Sequence, residues 1–162
     1  MELFEFKKLL RYNPDNGKFY WLATTKHGSV KAGDVAGSTM KTGYMQIKIK
    51  QKMYLQHRLA YLFTYGRWPK QEIDHINGDK SDNRIINLRD ASPSLNKQNR
   101  RTASERNKTG YLGVYYCKTR DCYTAQILVD GSNKHLGAYN NPKDAHNAYV
   151  KAKRKYHEGC TI

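Results

Sequence analysis

Apolar positions in the first third of the chain change period several times, and each change marks an element. Leu3, Phe6 and Leu10 recur at helical spacing, which predicts a helix that stops before Asn13-Pro14-Asp15-Asn16-Gly17, a run of turn formers. Lys18 to Leu22 is rich in aromatics and predicts a strand. Residues 25–43 are polar and spaced by Gly28, Gly33, Gly37 and Gly43, the pattern of a long surface loop. Tyr44 to Lys50 and Lys52 to Gln56 alternate, predicting a hairpin that turns near Gln51. Between His57 and Tyr65, Leu59, Leu62 and Phe63 return to helical spacing, with Gly66 and Pro69 as the stop.

A second series follows. Glu72-Ile73-Asp74-His75 predicts a short strand, Ile76 to Arg84 a polar loop, and Ile85 to Leu88 a second strand. Ser92-Pro93 then opens a helix, serine as cap and proline in the first turn. After a polar, basic stretch over 97–110, three strand-like runs appear: Gly113 to Lys118, Tyr123 to Val129 and Lys134 to Tyr139. Thr119-Arg120-Asp121 and Asp130-Gly131-Ser132-Asn133 supply the hairpin connections. A last helix has Asn141 as cap, Pro142 in its first turn and a stripe of Ala145, Ala148, Tyr149 and Ala152 small enough to lie close on a sheet. In the middle run, Tyr123, Ala125, Ile127 and Val129 share the covered face, and Thr124, Gln126 and Leu128 the open one.

Charge narrows the partner. The 162 residues carry 29 Lys and Arg against 14 acids, a net charge of +15, which favours a polyanion. Residues 1–106 hold 20 basic and 10 acidic side chains and residues 107–162 hold 9 and 4, so both halves can face phosphate. No run reaches the ~20 apolar residues of a membrane span, and the first residues lack the basic-then-apolar order of a signal peptide. Neither membrane nor protein partner is implied. Cys117, Cys122 and Cys160 are odd in number and lack C-x-x-C spacing, the usage of free thiols in a reducing compartment.

The chemistry concentrates in Ile73-Asp74-His75-Ile76-Asn77-Gly78-Asp79, Asp82-Asn83-Arg84, Asn87-Leu88-Arg89, and Asn96 and Asn99 beyond them. With Asn13 to Trp21 and His57-Arg58-Leu59-Ala60 in the same order, this pattern over about residues 12–106 resembles the HNH endonuclease family, in the homing-type branch usual in phage genomes and mobile introns. Phosphodiester hydrolysis needs a base that titrates near neutrality, and His75 is that candidate. A hard divalent ion on a carboxylate and an amide oxygen can stabilise the leaving oxygen; Asp74 and Asn96 are the expected metal ligands and Asn99 the second choice. Mg2+ is expected, with Mn2+ able to substitute. The resemblance makes Asn87 the residue that holds the loop and orients His75, and implies 5′-phosphate and 3′-hydroxyl products. Adjacent strand residues point to opposite faces, so Asp74 and His75 serve one phosphate only if the strand ends or bulges there. A calcium loop over Asp74 to Asp90 fails, since Ile76 stands at the third position and no register supplies both the turn glycine and the final glutamate. His57 reads as a packing histidine. Arg58, Arg84, Arg89, Arg100 and Arg101 are candidate phosphate contacts, with solvated surface charge as the alternative for the first three.

Residues 107–158 resemble the plant APETALA-type DNA-binding domain, on Gly110 to Val114, Tyr123 to Ile127, His135 to Tyr139 and the alanine-spaced helix. The resemblance implies a three-stranded sheet in the major groove, read by Tyr115, Cys117, Gln126, Leu128 and His135, with Lys118 and Lys134 on phosphates. Leu112, Tyr115, Cys117 and Leu128 stand where that family carries arginines, so no target sequence is carried over.

The expected fold is α+β. A ββα-metal nuclease core at about 71–101 carries N-terminal strands and a helix within a domain spanning 1–106, and a small antiparallel three-stranded sheet with one helix forms 107–162. The expected function is a metal-dependent endonuclease cutting or nicking duplex DNA at a preferred site, in the cytoplasm of a bacterial host if phage-encoded. The alternatives are a DNA-binding regulator on a non-catalytic HNH scaffold and an RNA-binding protein. On this division, a chain ending near Arg106 keeps cleavage and loses site preference.

Overall fold

A computed structural model describes residues 2–24 and 29–162, and it divides into two compact units, one ending at Pro93 and the other beginning at Ser94. The division falls before the Asn107 boundary that composition suggests, because the stretch after Ser94 hydrogen-bonds with the last helix and with the segment following it.

The first unit opens with α1 (Leu3–Leu9) and β1 (Leu10–Asn13), paired antiparallel with β2 (Lys18–Trp21). Helical spacing carries the sequence-based helix through Leu10, but Leu10 is extended (φ −134°, ψ 145°) and pairs with Trp21. The turn is the reason: Gly17 N donates to the Asn13 carbonyl at 2.9 Å and Asp15 N to the Asn13 side chain at 2.9 Å, so the residues before Asn13 are drawn into the hairpin. Within the loop expected over 25–43, residues 25–28, Gly28 included, lie outside the described residues. The rest holds β3 (Ser38–Thr39), which pairs with β4 (Met45–Ile49), itself paired with β5 (Lys52–Leu55). Lys50 and Gln51 turn that hairpin with φ of 46° and 64°, the left-handed pair that fits strand twist.

Next come α2 (Gln56–Tyr65), stopped by Gly66 at φ 72°, then β6 (Glu72–His75) and β7 (Leu88–Ala91), which pair antiparallel. The strand expected at Ile85–Leu88 is instead a 3-10 turn over Ile85–Asn87, with β7 starting at Leu88. Ile86 lies exposed while Leu88 and Ala91 are buried, so burial selects the later register. The core joins Phe6, Leu10, Phe19, Ile47, Leu59, Leu62, Ile73 and Leu88, and Trp68 meets Phe6 edge-on at 5.9 Å.

α3 (Pro93–Gln98) leads into the second unit, where β8 (Val114–Cys117), β9 (Cys122–Val129) and β10 (Ser132–Tyr139) form an antiparallel sheet with β9 central. α4 (Pro142–Tyr156) is capped by the Asn141 side chain on Asp144 N and covers one sheet face. Val114, Ala125, Ile127, Ala145, Tyr149 and Ala152 are the buried core. At Gly113 (φ 76°) an added Cβ would lie 2.0 Å from the Tyr149 ring, so only glycine lets that ring close over the start of the sheet. Among the described residues, no helix is long and apolar enough to cross a membrane.

Candidate active site and nucleic-acid interface

β6 delivers Asp74 and His75 to the start of a polar loop. The Asp90 carboxylate takes the Lys70 and Gln71 amides at 3.0 and 2.9 Å, fixing the entry to the strand, and buried Ile73 anchors it in the core. The strand ends at His75 without a bulge, and Gly78 (φ 77°) returns its amide to the His75 carbonyl at 2.8 Å. Asp74 and His75 are 5 % and 4 % exposed. Asn87 ties the two ends of the loop together: its side chain accepts Asn77 N at 2.9 Å and donates to the Asp82 carbonyl at 2.8 Å.

His75 is surrounded by rings and one amide. Its centroid lies 5.2 Å from His57, nearly perpendicular, and 5.8 Å from Tyr44; Nε2 is 3.3 Å from the Asn83 side-chain oxygen. Burial lowers the His75 pKa, opposed by the Asn83 bond and by Asp74. Burial, then His75 and Arg58, lowers His57 to about 3, so both rings are neutral near pH 7. His57 Nδ1 is buried with no hydrogen-bond partner. Burial raises the Tyr44 hydroxyl, with Asp74 adding to it, and the Lys80 ammonium lies 4.8 Å over the Tyr44 ring.

Two candidate phosphate contacts are held by carboxylates. Arg89 Nε and an Arg89 terminal nitrogen lie 2.8 and 2.7 Å from Asp74 Oδ2. Arg84 grips Asp82 through two bonds of 2.8 and 2.6 Å, and the Arg84 side-chain bond is the main reason the Asp82 pKa falls to about 2. Arg58, half-buried, donates to the Gln71 carbonyl at 3.2 Å.

Asn96 and Asn99 belong to the second unit. Asn99 is buried and its side-chain oxygen accepts the Thr161 hydroxyl at 2.6 Å. Arg100 offers its carbonyl to buried Lys153, and Arg101 donates to the Thr161 carbonyl at 3.1 Å. Among the described residues no three His, Cys, Asp or Glu side chains gather as a metal cluster. The Asp74 carboxylate, held by Arg89 through Oδ2, offers the hard oxygen donors that a divalent ion takes.

On the sheet of the second unit, Tyr115 and Leu128 are both 56 % exposed, and His135 is paired with Gln126 just before the register shift that leads to Gly137. Tyr115, Thr124, Gln126, Leu128 and His135 share the open face. Cys117 ends β8; the Thr119 hydroxyl, 3.3 Å away, and Arg120 lower its thiol to about 7. Lys118 is exposed in the following turn. Lys134 pairs with Ile127 and faces α4, its ammonium 4.4 Å over the Tyr156 ring, so of the candidate contacts in this sheet it alone lies on the helix side. Residue type and spacing assign no chemical role to Asn83 or His57, and Tyr44 reads only as a strand residue. Their proximity to His75 comes from the close of a loop and from two other elements, which spacing does not report.

Residues 54–98 match the family model described as HNH endonuclease, a span from β5 to the end of α3 that contains β6, the polar loop and β7. No curated protein matches the chain. A solved structure described as "DNA binding and cleavage by the HNH homing endonuclease I-HmuI" is similar at 19 % identity and a TM-score of 0.48, covering 98 % of this chain and 93 % of that one.

Proposed function

We propose that the chain is a metal-dependent endonuclease that hydrolyses phosphodiester bonds in duplex DNA at a preferred site, by a nick or a double-strand cut. The observation that carries this reading is the buried Asp74-His75 pair at the end of β6, inside the segment that matches the HNH endonuclease family. His75, neutral through burial, takes a proton from water as the water oxygen bonds to phosphorus and the bond to the 3′ oxygen breaks. Asn87 keeps the loop closed behind His75, and Arg89 holds one oxygen of Asp74 in place. By the family resemblance, Asp74 and Asn96 would hold one Mg2+ or Mn2+, whose Lewis acidity would stabilise the charge on the leaving oxygen.

The second unit supplies DNA affinity and sequence choice. We read its sheet as APETALA-type, with Tyr115, Gln126, Leu128 and His135 toward the bases and Lys118, Arg100 and Arg101 toward phosphates. Lys134 is left to the phosphate on the α4 side. Incubating the pure protein with supercoiled plasmid, with and without Mg2+, tests the reading: relaxed or linear plasmid only with metal is expected. Full activity in chelator removes the metal, and no activity with Mg2+ or with Mn2+ in its place removes the nuclease.

A further inference from the structure

Asn83 lies between His75 and the β1–β2 hairpin, and no role is yet assigned to it. Its side-chain nitrogen donates to the Ser81 carbonyl at 3.2 Å, so the end turned toward His75 Nε2, at 3.3 Å, is the oxygen. An amide oxygen only accepts. The proton on the neutral ring is therefore at Nε2, and Nδ1 carries the lone pair. Asn83 is 1 % exposed, so bulk water does not replace the contact.

The hairpin holds Asn83 from behind. Tyr12 donates its hydroxyl to the Asn83 carbonyl at 2.8 Å, across 71 positions of sequence. Gly17 presses on the next peptide: an added Cβ would lie 2.4 Å from Arg84 N and 2.6 Å from the Asn83 carbonyl carbon. A hairpin with no group of its own for the chemistry thus fixes the backbone from which the Asn83 amide projects.

We propose that Asn83 is the positioning residue of His75: it fixes the ring as the Nε2–H tautomer with Nδ1 as the proton acceptor, and Tyr12 and Gly17 hold Asn83 for that task. The tautomer follows from hydrogen-bond geometry; its catalytic meaning rests on the nuclease reading above.

The test pairs a ring measurement with kinetics on the full chain. Long-range 1H–15N correlation of the imidazoles should show His75 of the wild type as one tautomer, protonated at Nε2, and Asn83→Leu should show a mixture. In single-turnover plasmid cleavage, Asn83→Leu should lower the rate constant about 10- to 100-fold with DNA affinity unchanged, and Asn83→Asp, which keeps an acceptor oxygen, should recover most of it. Tyr12→Phe should lose up to about tenfold without a change in affinity. Thermal melting of each variant separates positioning from unfolding; if Asn83→Leu does not fold, the wild-type spectrum, Asn83→Asp and Tyr12→Phe decide. A wild-type ring protonated at Nδ1, or a folded Asn83→Leu cutting at the wild-type rate, overturns the proposal. A wild type that shows the Nε2–H ring yet cuts no DNA with Mg2+ sinks the nuclease reading and leaves the ring assignment supported.

Discussion

His75 and His57 are packed edge to plane, and their burial makes two opposite demands on pH. For activity, a His75 pKa pushed below 6.5 keeps the base unprotonated in mild acid, so the acid limb of the cleavage rate should fall below pH 6.5; a limb above that value contradicts the burial. His75→Ala should abolish cleavage and leave gel-shift affinity nearly unchanged, because phosphate contacts elsewhere carry binding. For stability the sign is fixed by His57. Native His57 titrates near 3 and the unfolded ring near 6.5, so between these values the unfolded chain binds the extra proton and stability is lost as pH falls through that window. His57→Phe should flatten the dependence of the melting temperature on pH between 6.5 and 4. Asp74→Ala and Asn96→Ala should each raise the Mg2+ needed for half-maximal cleavage, seen by titrating metal against rate. Residue type and spacing bring Asp74, His75 and Asn87 forward as candidates without any structure. It concealed the Asn83 contact, since an amide's orientation depends on the Ser81 carbonyl and on the hairpin behind it.

Elements were legible where one periodicity dominated. Gln56–Tyr65 and the β9 alternation, with Ala125 and Ile127 buried and Leu128 exposed, follow directly from spacing. β1 was hidden because Leu10 satisfies helical spacing and a strand register alike, and only pairing with Trp21 decides. β7 shifted for the complementary reason, as isoleucines at 85 and 86 promise a strand that a 3-10 turn consumes. In the second unit, Gly110 and Gly113 are both left-handed (φ 71° and 76°), but only Gly113 lies against a ring. An alanine at either position meets about 1–2 kcal/mol of backbone strain, and at Gly113 the overpacking against Tyr149 adds about 1–3 kcal/mol. Gly113→Ala should therefore melt well below Gly110→Ala and bind DNA more weakly. Equal melting temperatures would mean that the Tyr149 ring moves aside at little cost.

For the whole molecule, the division at Pro93 changes what a shortened chain should do. α3 has only six residues, too few to persist alone. Its surroundings in the second unit come from the far end of that unit: Gly159 N donates to the Gln98 side chain at 3.0 Å, and Thr161 reaches Asn99 at 2.6 Å. At Gly159 an added Cβ would lie 2.5 Å from the Leu95 carbonyl. A chain ending at Arg106 keeps every candidate catalytic residue but loses these contacts, so it should lose cleavage as well as selectivity. Comparing its single-turnover rate and cut-site preference with the full chain checks this, and a truncated protein that still cuts random duplexes efficiently would return α3 to the nuclease core. Composition placed the boundary near Asn107 because hydrogen bonds spanning more than 60 positions leave no trace in local charge.

The same division has an optical consequence. The two tryptophans, Trp21 in β2 and Trp68 against Phe6, both precede Pro93. Tryptophan emission during unfolding therefore reports the first unit alone, while circular dichroism registers both. A transition visible in the dichroism and missing from the emission belongs to the unit that begins at Ser94, so the chain carries a spectroscopic label for one half without any engineered probe.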